Sequence, residues 1–225
     1  MVELAQRLHQ VRGSITSECE KLGRREPTLI VVTKNHSVEL ASELLKLGET
    51  EFGENRVQEA LAKSQELELA VPGNSVNWNL IGQLQTNKVK MLADIIDVWQ
   101  SVDRVSVITE IAKRSTKPLI EAFIQVNLTD EPDKGGCDPS EVGSLLEVAR
   151  DSGVAITGLM TVGPTSGEPT QTRLAFRKLR TMANDFGLQQ CSMGMTGDLE
   201  IAVEEGSTMV RIGSAIFGNR PSPTR

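Results

Sequence analysis

The sequence predicts an α/β fold and, within that class, a single (β/α)₈ TIM barrel over residues 1–225. Short β-branched runs alternate with helical stretches, which is typical of a parallel sheet with helices outside it. Eight such units fill 225 residues, which leaves little room for anything but a closed barrel, and barrels of this length are ordinary single domains. A doubly wound open sheet stays an alternative because periodicity does not report closure.

The first element is an additional helix before the first strand. Leu4, Leu8, Val11, Ile15 and Leu22 recur at steps of three, four and seven residues and so form one apolar face. The pattern breaks at residues 24–27, where the chain turns into a continuous apolar run.

Eight runs are predicted as strands because they are short, apolar or β-branched, and bounded by turn residues. They are residues 28–33, 50–53, 76–81, 95–101, 119–127, 156–160, 190–193 and 208–212. In a barrel and in an open sheet alike, ligands bind at the carboxyl ends of such strands. The strand ends are therefore where chemistry is expected.

Three of the helices between the strands have recognisable signals. Ser37 is in position to cap a helix whose predicted apolar face is Leu40, Leu44 and Leu47. The segment 138–152 begins with Asp-Pro and has a glutamate three residues after the aspartate, which predicts a capping box. Another helix is predicted over 171–186.

Composition narrows the class of protein. The formal net charge is −6 and the cationic residues are scattered, whereas nucleic-acid binders concentrate them in a patch. No apolar run reaches 18 residues, and the N-terminus lacks the apolar segment of a signal peptide. Cys19, Cys137 and Cys191 are odd in number and far apart, which fits neither a disulfide framework nor a zinc site. We therefore expect a cytoplasmic protein with no metal, nucleic-acid or membrane partner.

Lys34 stands where the first predicted strand ends and a helix-capping turn begins. A lysine that leaves an apolar run is partly desolvated, which favours the neutral amine. Only the neutral amine attacks a carbonyl, so this is the setting that a Schiff-base lysine needs. The alternative is a surface lysine in a strand–helix loop, and position alone does not decide between them.

Two glycine–hydroxyl turns follow the last two predicted strands. Thr196 lies in the turn 192–198, and Gly213 and Ser214 follow Arg211 in the second turn. Hydroxyls and small residues that lead into the free N–H groups of a helix start are typical of phosphate sites. Barrel enzymes often build such a site after strands seven and eight. The turns therefore favour a phosphate site, the alternative being turns that only close the barrel.

Two earlier strand ends carry weaker signals. Asn55 follows a glycine at the end of the second strand and could hydrogen-bond a ligand, but Glu54 and Arg56 beside it could equally form a surface ion pair. The residues alone favour the surface interpretation. At the third strand, Asn79 and Asn87 supply neutral polar groups.

At these residues the chain resembles the pyridoxal 5′-phosphate (PLP) homeostasis protein family, whose barrel is similar to the N-terminal domain of alanine racemases. Six segments in family order carry the resemblance, and no single one is decisive. They are residues 31–34 (Val-Val-Thr-Lys), 52–59 (Phe-Gly-Glu-Asn-Arg-Val-Gln-Glu), 81–88 (Ile-Gly-Gln-Leu-Gln-Thr-Asn-Lys), 158–160, 192–198 and 210–218.

The resemblance implies PLP as cofactor. It assigns Lys34 to the Schiff base, Thr196, Gly213 and Ser214 to the phosphate, Arg211 to the pyridine nitrogen, and Asn55 to a place near the cofactor. An arginine beside the ring nitrogen keeps that nitrogen unprotonated, so the cofactor becomes a poor electron sink. One departure is Asn79, which stands where the family usually has histidine, so cofactor exchange or ring orientation is expected to differ in detail.

Proteins of this family are thought to store or deliver PLP and to balance vitamin B6 and amino-acid pools, without established turnover. The resemblance therefore implies one PLP-binding domain over 1–225 with an additional N-terminal helix and no catalytic residues. The expected partners are PLP and PLP-requiring apo-enzymes, and the expected state is a monomer or weak dimer.

Two enzymatic alternatives stay open. A PLP-dependent racemase needs an acid–base group on each face of the substrate carbon, and alanine racemases use a tyrosine for one of them. The chain has no tyrosine, and its two histidines are His9 and His36, the second predicted in a solvated loop. A Schiff-base aldolase acting on a phosphorylated sugar would need a carboxylate proton shuttle beside the lysine. The carrier interpretation is favoured over both.

Overall fold

The strands form a closed parallel barrel in the computed structural model, which describes residues 2–73, 75–129 and 131–218. The strands follow sequence order around the barrel: β1 (Thr28–Val32), β2 (Glu51–Glu54), β3 (Asn77–Leu80), β4 (Val98–Val102), β5 (Glu121–Gln125), β6 (Ala155–Met160), β7 (Gln190–Ser192) and β8 (Met209–Ile212). The last strand pairs with the first in parallel, from Thr28 opposite Met209 to Val31 opposite Ile212. This pairing confirms the predicted barrel and excludes the open sheet. Each predicted run overlaps one strand.

Helices surround the barrel in the described part of the chain. They are α1 (Val2–Leu22), α2 (Val38–Lys46), α3 (Val57–Ala70), α4 (Val105–Arg114), α5 (Val142–Asp151), α6 (Pro169–Asp185), α7 (Leu199–Glu204) and α8 (Ser214–Phe217). Two 3₁₀ helices span Thr86–Met91 and Pro139–Glu141, and the first of these takes the place of an α-helix between β3 and β4. The predicted additional helix is α1, which packs outside the barrel against α7 and α8.

The capping signals have mixed outcomes. The predicted box is confirmed, since the Asp138 carboxylate accepts the Ser140 N–H and the Glu141 carboxylate accepts the Asp138 N–H. Helix α6 begins two residues before its predicted start because the Glu168 carboxylate accepts two N–H groups of its first turn. The Ser37 prediction is half right: the residue occupies the capping position, but its side chain accepts no helix N–H.

The prediction that Leu22 and Leu47 lie on buried apolar helix faces is wrong. Leu22 is 43% exposed, and Cys19, four residues after Ile15, continues the buried row of α1 instead. Leu47 is 46% exposed because α2 ends at Lys46, so its side chain no longer lies on the buried helical face. The buried face of α2 is formed by Ala41, Leu44 and Leu45.

The apolar core lies mainly between the barrel and its helices. Inside the barrel a small apolar cluster consists of Val98, Phe123 and Met160, with Val162 and Met209 packed against it. The other buried side chains of the barrel strands include Asn79, Gln100 and Arg211, which are polar. Since buried polar groups need partners, these side chains form hydrogen bonds inside the barrel that lead to Arg211 at the cavity wall.

Candidate functional site

A cavity of about 460 Å³ opens where the strands end. Its wall includes all six residues that the sequence assigned to one site, namely Lys34, Asn55, Thr196, Arg211, Gly213 and Ser214. These residues come from the ends of β1, β2, β7 and β8, and Val32, Ile81, Val162, Met195 and Gly197 complete the wall. The volume falls in the usual range for small-molecule sites. The closed barrel thus brings together every residue of the predicted constellation.

A larger groove of about 870 Å³ lies beside this cavity. It is lined by α1, α6 and the start of α7, and it shares Thr196 and Gly197 with the cavity. It contains neither Lys34 nor Arg211. Because it lacks the nucleophilic amine and the buried cation, we place the chemistry in the smaller cavity.

Arg211 is fixed at the wall of the cavity by two hydrogen bonds. Its Nη1 donates to the Ser192 hydroxyl at 2.7 Å and its Nη2 donates to the Thr161 carbonyl at 2.8 Å. Burial lowers the pKa of this guanidinium to about 10, while attraction to Asp198 opposes the shift. Arg211 is therefore a desolvated cation of fixed orientation at neutral pH.

A chain of hydrogen bonds runs from Arg211 through the barrel interior. Ser192 donates to Gln100 Oε1 at 2.6 Å, and Gln100 Nε2 donates to Asn79 Oδ1 at 2.8 Å. Asn79 in turn donates to Glu51 at 3.1 Å. Asn79 is fully buried and is not among the residues that line the cavity, so its effect on the site passes through this chain.

Thr196 and Ser214 form a pair of exposed hydroxyls at the mouth. The Ser214 hydroxyl donates to Thr196 Oγ1 at 3.1 Å, which joins the turn after β7 to the start of α8. Close packing favours glycine at position 213, because a Cβ there would lie 3.1 Å from the Val32 carbonyl oxygen. Beside the pair, burial raises the pKa of Asp198, an effect that the Met195 N–H and Arg211 oppose.

Asn55 presents an unsatisfied acceptor. Its Oδ1 is buried and has no hydrogen-bond partner among the described residues. The backbone of Asn55 lies against Gly82, where a Cβ would come within 2.1 Å of the Asn55 carbonyl oxygen. Gly82 thus permits the close backbone approach that places this amide at the cavity, where a ligand donor could satisfy it.

The expected surface ion pair between Glu54 and Arg56 is wrong. Glu54 is fully buried, and its Oε1 pairs with Lys63 Nζ at 2.6 Å. Arg56 is exposed and pairs with Glu59 at 3.2 Å. Burial raises the pKa of Glu54, and hydrogen bonds from Lys63 and Thr33 oppose that shift.

The sequence reasoning missed Lys63, Gln100 and Thr161. Lys63 stands in the buried row of α3 between Ala60 and Leu67, so a lysine at an apolar position was the available signal. Gln100 lies in the middle of β4, whose five residues are all buried. Thr161 acts through its backbone carbonyl, which no side-chain pattern reveals.

His36 is also placed differently from the expectation. Instead of being a solvated loop side chain, it is half-buried and stacks on Phe217 with ring centroids 3.8 Å apart. It does not line the cavity. Asn87, from the third strand end, is exposed in the 3₁₀ helix after β3.

The three cysteines are free and buried, and burial raises the pKa of Cys137 to about 12 and of Cys191 to about 11. No cluster of His, Cys, Asp or Glu suited to a metal ion occurs among the described residues. Over the same residues, none of the helices has the length and apolar character needed to cross a membrane.

The comparisons with known proteins agree with this geometry. The family model for the alanine racemase N-terminal domain matches residues 10–221. A pyridoxal phosphate homeostasis protein of Aquifex aeolicus is 38% identical over 96% of this chain and 97% of its own length. The Escherichia coli protein of that name is 34% identical over 98% of both chains.

The chain is also similar in fold to solved structures. PipY of Synechococcus elongatus, with PLP bound, matches 96% of this chain and 100% of its own at 30% identity and a TM-score of 0.81. An alanine racemase of Clostridium difficile matches 99% of this chain and 58% of its own with a TM-score of 0.72, but at 14% identity it shows the fold alone.

Fold and cavity thus define a barrel of the alanine racemase N-terminal class. Within that class, the chain belongs to the pyridoxal phosphate homeostasis protein family. The family resemblance noted from the six sequence segments is confirmed.

Proposed function

We propose that this chain is a single PLP-binding domain that stores PLP and delivers it to apo-enzymes, and so maintains vitamin B6 and amino-acid pools without catalytic turnover. The observation that carries the proposal is the convergence of an amine, a hydroxyl pair and a buried cation on one cavity of about 460 Å³. PLP presents an aldehyde, a phosphate and a pyridine nitrogen, and these three groups match the three features. The PLP-bound structure of the relative PipY supports the same ligand.

The residues at the cavity fit each part of PLP. Thr196 and Ser214 would hold the phosphate with their hydroxyls, and Gly213 leaves the backbone at the start of α8 accessible. Arg211 would face the pyridine nitrogen, and the unsatisfied Oδ1 of Asn55 would accept a hydrogen bond from the ligand.

Lys34 would hold the ligand covalently. When bound, PLP supplies an aldehyde that condenses with an amine. Lys34 Nζ, in its neutral form, would bond to the aldehyde carbon, and the aldehyde oxygen would leave as water with the two amine protons. Lys34 is half-buried at the cavity wall, so an incoming amine or water can reach the bond and reverse it.

The same residues argue against turnover. Arg211 is a cation at neutral pH, and a cation beside the pyridine nitrogen disfavours protonation of that nitrogen, which electron withdrawal from Cα requires. Catalysis at Cα also needs a second positioned base. The chain has no tyrosine, and His36 does not line the cavity.

Three free cysteines suit a reducing compartment, and we place the protein in the cytoplasm with the apo-enzymes that it would supply. Its own state is proposed as a monomer or weak dimer.

Reduction with borohydride in the presence of PLP tests the site. We expect a visible absorption band that reduction bleaches, with the adduct mapped by peptide mass spectrometry to Lys34, and no such adduct in Lys34→Ala. A chain that stays colourless with excess PLP would contradict the cofactor, whereas an adduct on Lys88 or Lys134 would contradict only the site.

Two further assays test delivery and turnover. Incubation of the loaded chain with a PLP-free aminotransferase should restore the activity of that enzyme. Racemase and transaminase assays should stay at background. Steady racemisation of alanine or serine that disappears in Lys34→Ala would refute the carrier function and favour the enzyme.

A further inference from the structure

Both peptide groups that flank Lys34 are held by charged side chains of α3. Lys63 Nζ donates to the Thr33 carbonyl at 2.6 Å, which fixes the peptide group before Lys34. Glu59 Oε2 accepts the Asn35 N–H at 2.6 Å, which fixes the peptide group after it. The orientation of the Lys34 Cα–Cβ bond is therefore set by two residues that belong to a different element.

The hydrogen bond from Lys63 to the Thr33 carbonyl, the anchor before Lys34, is part of a buried network. Glu54 Oε1 accepts hydrogen bonds from Lys63 Nζ and from the Thr33 hydroxyl, each at 2.6 Å. The side chains of Lys63 and Glu54 are 7% and 0% exposed. Each charge offsets part of the desolvation cost of the other. Glu54 Oε1 thus links Thr33 to Lys63, while Glu54 Oε2 has no hydrogen-bond partner among the described residues.

The hydrogen bond from the Asn35 N–H to Glu59, the anchor after Lys34, holds an unusual backbone conformation. Asn35 has a φ of 60° and is the one non-glycine residue with positive φ among the described residues. Asparagine tolerates this region better than most residues do. The Asn35 side chain accepts from Arg56 Nη1 at 3.3 Å, and the same nitrogen donates to Glu59. Glu59 of α3 and Arg56 just before that helix thus hold the turn at Asn35 in this conformation.

We propose that Lys63, Glu54 and Glu59 are positioning residues that direct Lys34 toward the cavity before the ligand binds. The inference rests on the proposed function, because positioning matters only if Lys34 bonds to an aldehyde. An amine already held in the attacking geometry avoids the entropy of ordering it during the reaction. The three residues do not line the cavity, so they do not contact a ligand bound there.

Glu59 offers a direct test because its side chain is 21% exposed. Its removal ends a 3.7 Å ion pair with Lys63 but leaves the 2.6 Å Lys63–Glu54 pair in place. In Glu59→Ala, the rate of adduct formation with PLP should fall by about tenfold, as expected for the loss of a charge-assisted hydrogen bond. Glu59→Gln keeps an acceptor for the Asn35 N–H and should restore most of the rate. Stopped-flow absorption at fixed pH measures both.

Three controls separate positioning from other effects. Glu66→Ala changes an exposed carboxylate on the same helix and should leave the rate unchanged. Pyridoxine 5′-phosphate has no aldehyde, so calorimetry should give all variants the same affinity for it. The double variant Lys63→Met, Glu54→Leu removes the hydrogen bond to the Thr33 carbonyl without leaving a buried charge unpaired, and it should also react slowly.

Each outcome decides the inference. It is overturned if Glu59→Ala reacts at the unaltered rate, or if Glu59→Gln is as slow as Glu59→Ala, since the effect is then one of charge. A parallel loss of pyridoxine 5′-phosphate affinity also overturns it. If the unaltered chain itself forms no adduct at Lys34, the proposed function fails and this inference fails with it.

Discussion

The cavity lies between two buried polar networks that differ in how their charges are balanced. On the Lys34 side, the ammonium of Lys63 and the carboxylate of Glu54 neutralise each other at 2.6 Å. On the Arg211 side, the guanidinium is held by the Ser192 hydroxyl and a backbone carbonyl, both neutral. None of the described carboxylates forms an ion pair with Arg211, although Asp198 attracts it from a greater distance.

This difference in charge balance separates the network that supports the proposed site from the network that would contact a ligand. The Lys63–Glu54 pair has both of its charges within the protein, and Lys63 holds the backbone just before Lys34. A buried cation with only neutral partners retains most of its desolvation cost, which lowers the pKa of Arg211. The charge-balanced network therefore supports the proposed site, and the unbalanced one is the part that a ligand would contact.

Removing one charge of the balanced pair should have the largest effect. We expect Lys63→Met to lower the free energy of unfolding by about 3–5 kcal/mol, because it leaves Glu54 buried without its counter-charge. Urea denaturation measures the loss. Adding Glu54→Leu should recover much of it, and Arg114→Met, which breaks a partly exposed pair with Glu110, should cost only about 0–1 kcal/mol.

The stability of Lys63→Met should also depend on pH, in a defined direction. Burial raises the pKa of Glu54 in the folded chain, and the loss of Lys63 removes an opposing contribution. The folded state then binds a proton more readily than the unfolded state, so the deficit of Lys63→Met should shrink as pH falls toward the ordinary carboxyl range and grow above it. A deficit independent of pH would show that Glu54 stays ionised.

Breaking the Arg211 network should lower the free energy of unfolding by less than breaking the Lys63–Glu54 pair does. Ser192→Ala leaves Arg211 Nη1 without its acceptor and Gln100 Oε1 without its donor, so we expect a loss of about 1–3 kcal/mol in urea denaturation. The Arg211 pKa of about 10 lies well above neutrality, so the loss should stay constant near neutral pH. Ser144→Ala, at an exposed serine of α5, is the control, and a deficit that varies with pH as in Lys63→Met would contradict the comparison.

The exposed hydroxyl pair should affect ligand binding rather than folding. Thr196→Ala and Ser214→Ala should each weaken PLP retention by about tenfold or more, since a hydrogen bond to a charged group is lost. The ligand-free stability should change by less than about 0.5 kcal/mol because both side chains are exposed. Equilibrium dialysis measures retention, with the exposed Thr109→Ala on α4 as control. Unchanged retention in both variants would place the phosphate elsewhere.

Much of the site could be predicted because strand ends are visible in sequence. The predicted strands 28–33, 50–53 and 208–212 are short, and Lys34, Asn55 and Arg211 lie at or just beyond their ends. The barrel rule places such ends together. The errors came from residues whose partners lie on other elements. Glu54 and Arg56 are adjacent in sequence, yet Glu54 pairs with Lys63 inside the protein and Arg56 pairs with Glu59 at the surface.

The sequence by itself determined the eight strand–helix units, the capping box at Asp138 and the set of residues that follow the strands, because these depend on local periodicity. Only the tertiary structure decided that β8 pairs with β1, which brings Gly213 against Val32 and onto the same cavity wall as Lys34. It also decided the hydrogen bond between Ser192 and Gln100, which are 92 positions apart. Closure and buried hydrogen bonds depend on how distant segments pack, and a local pattern carries no information about that packing.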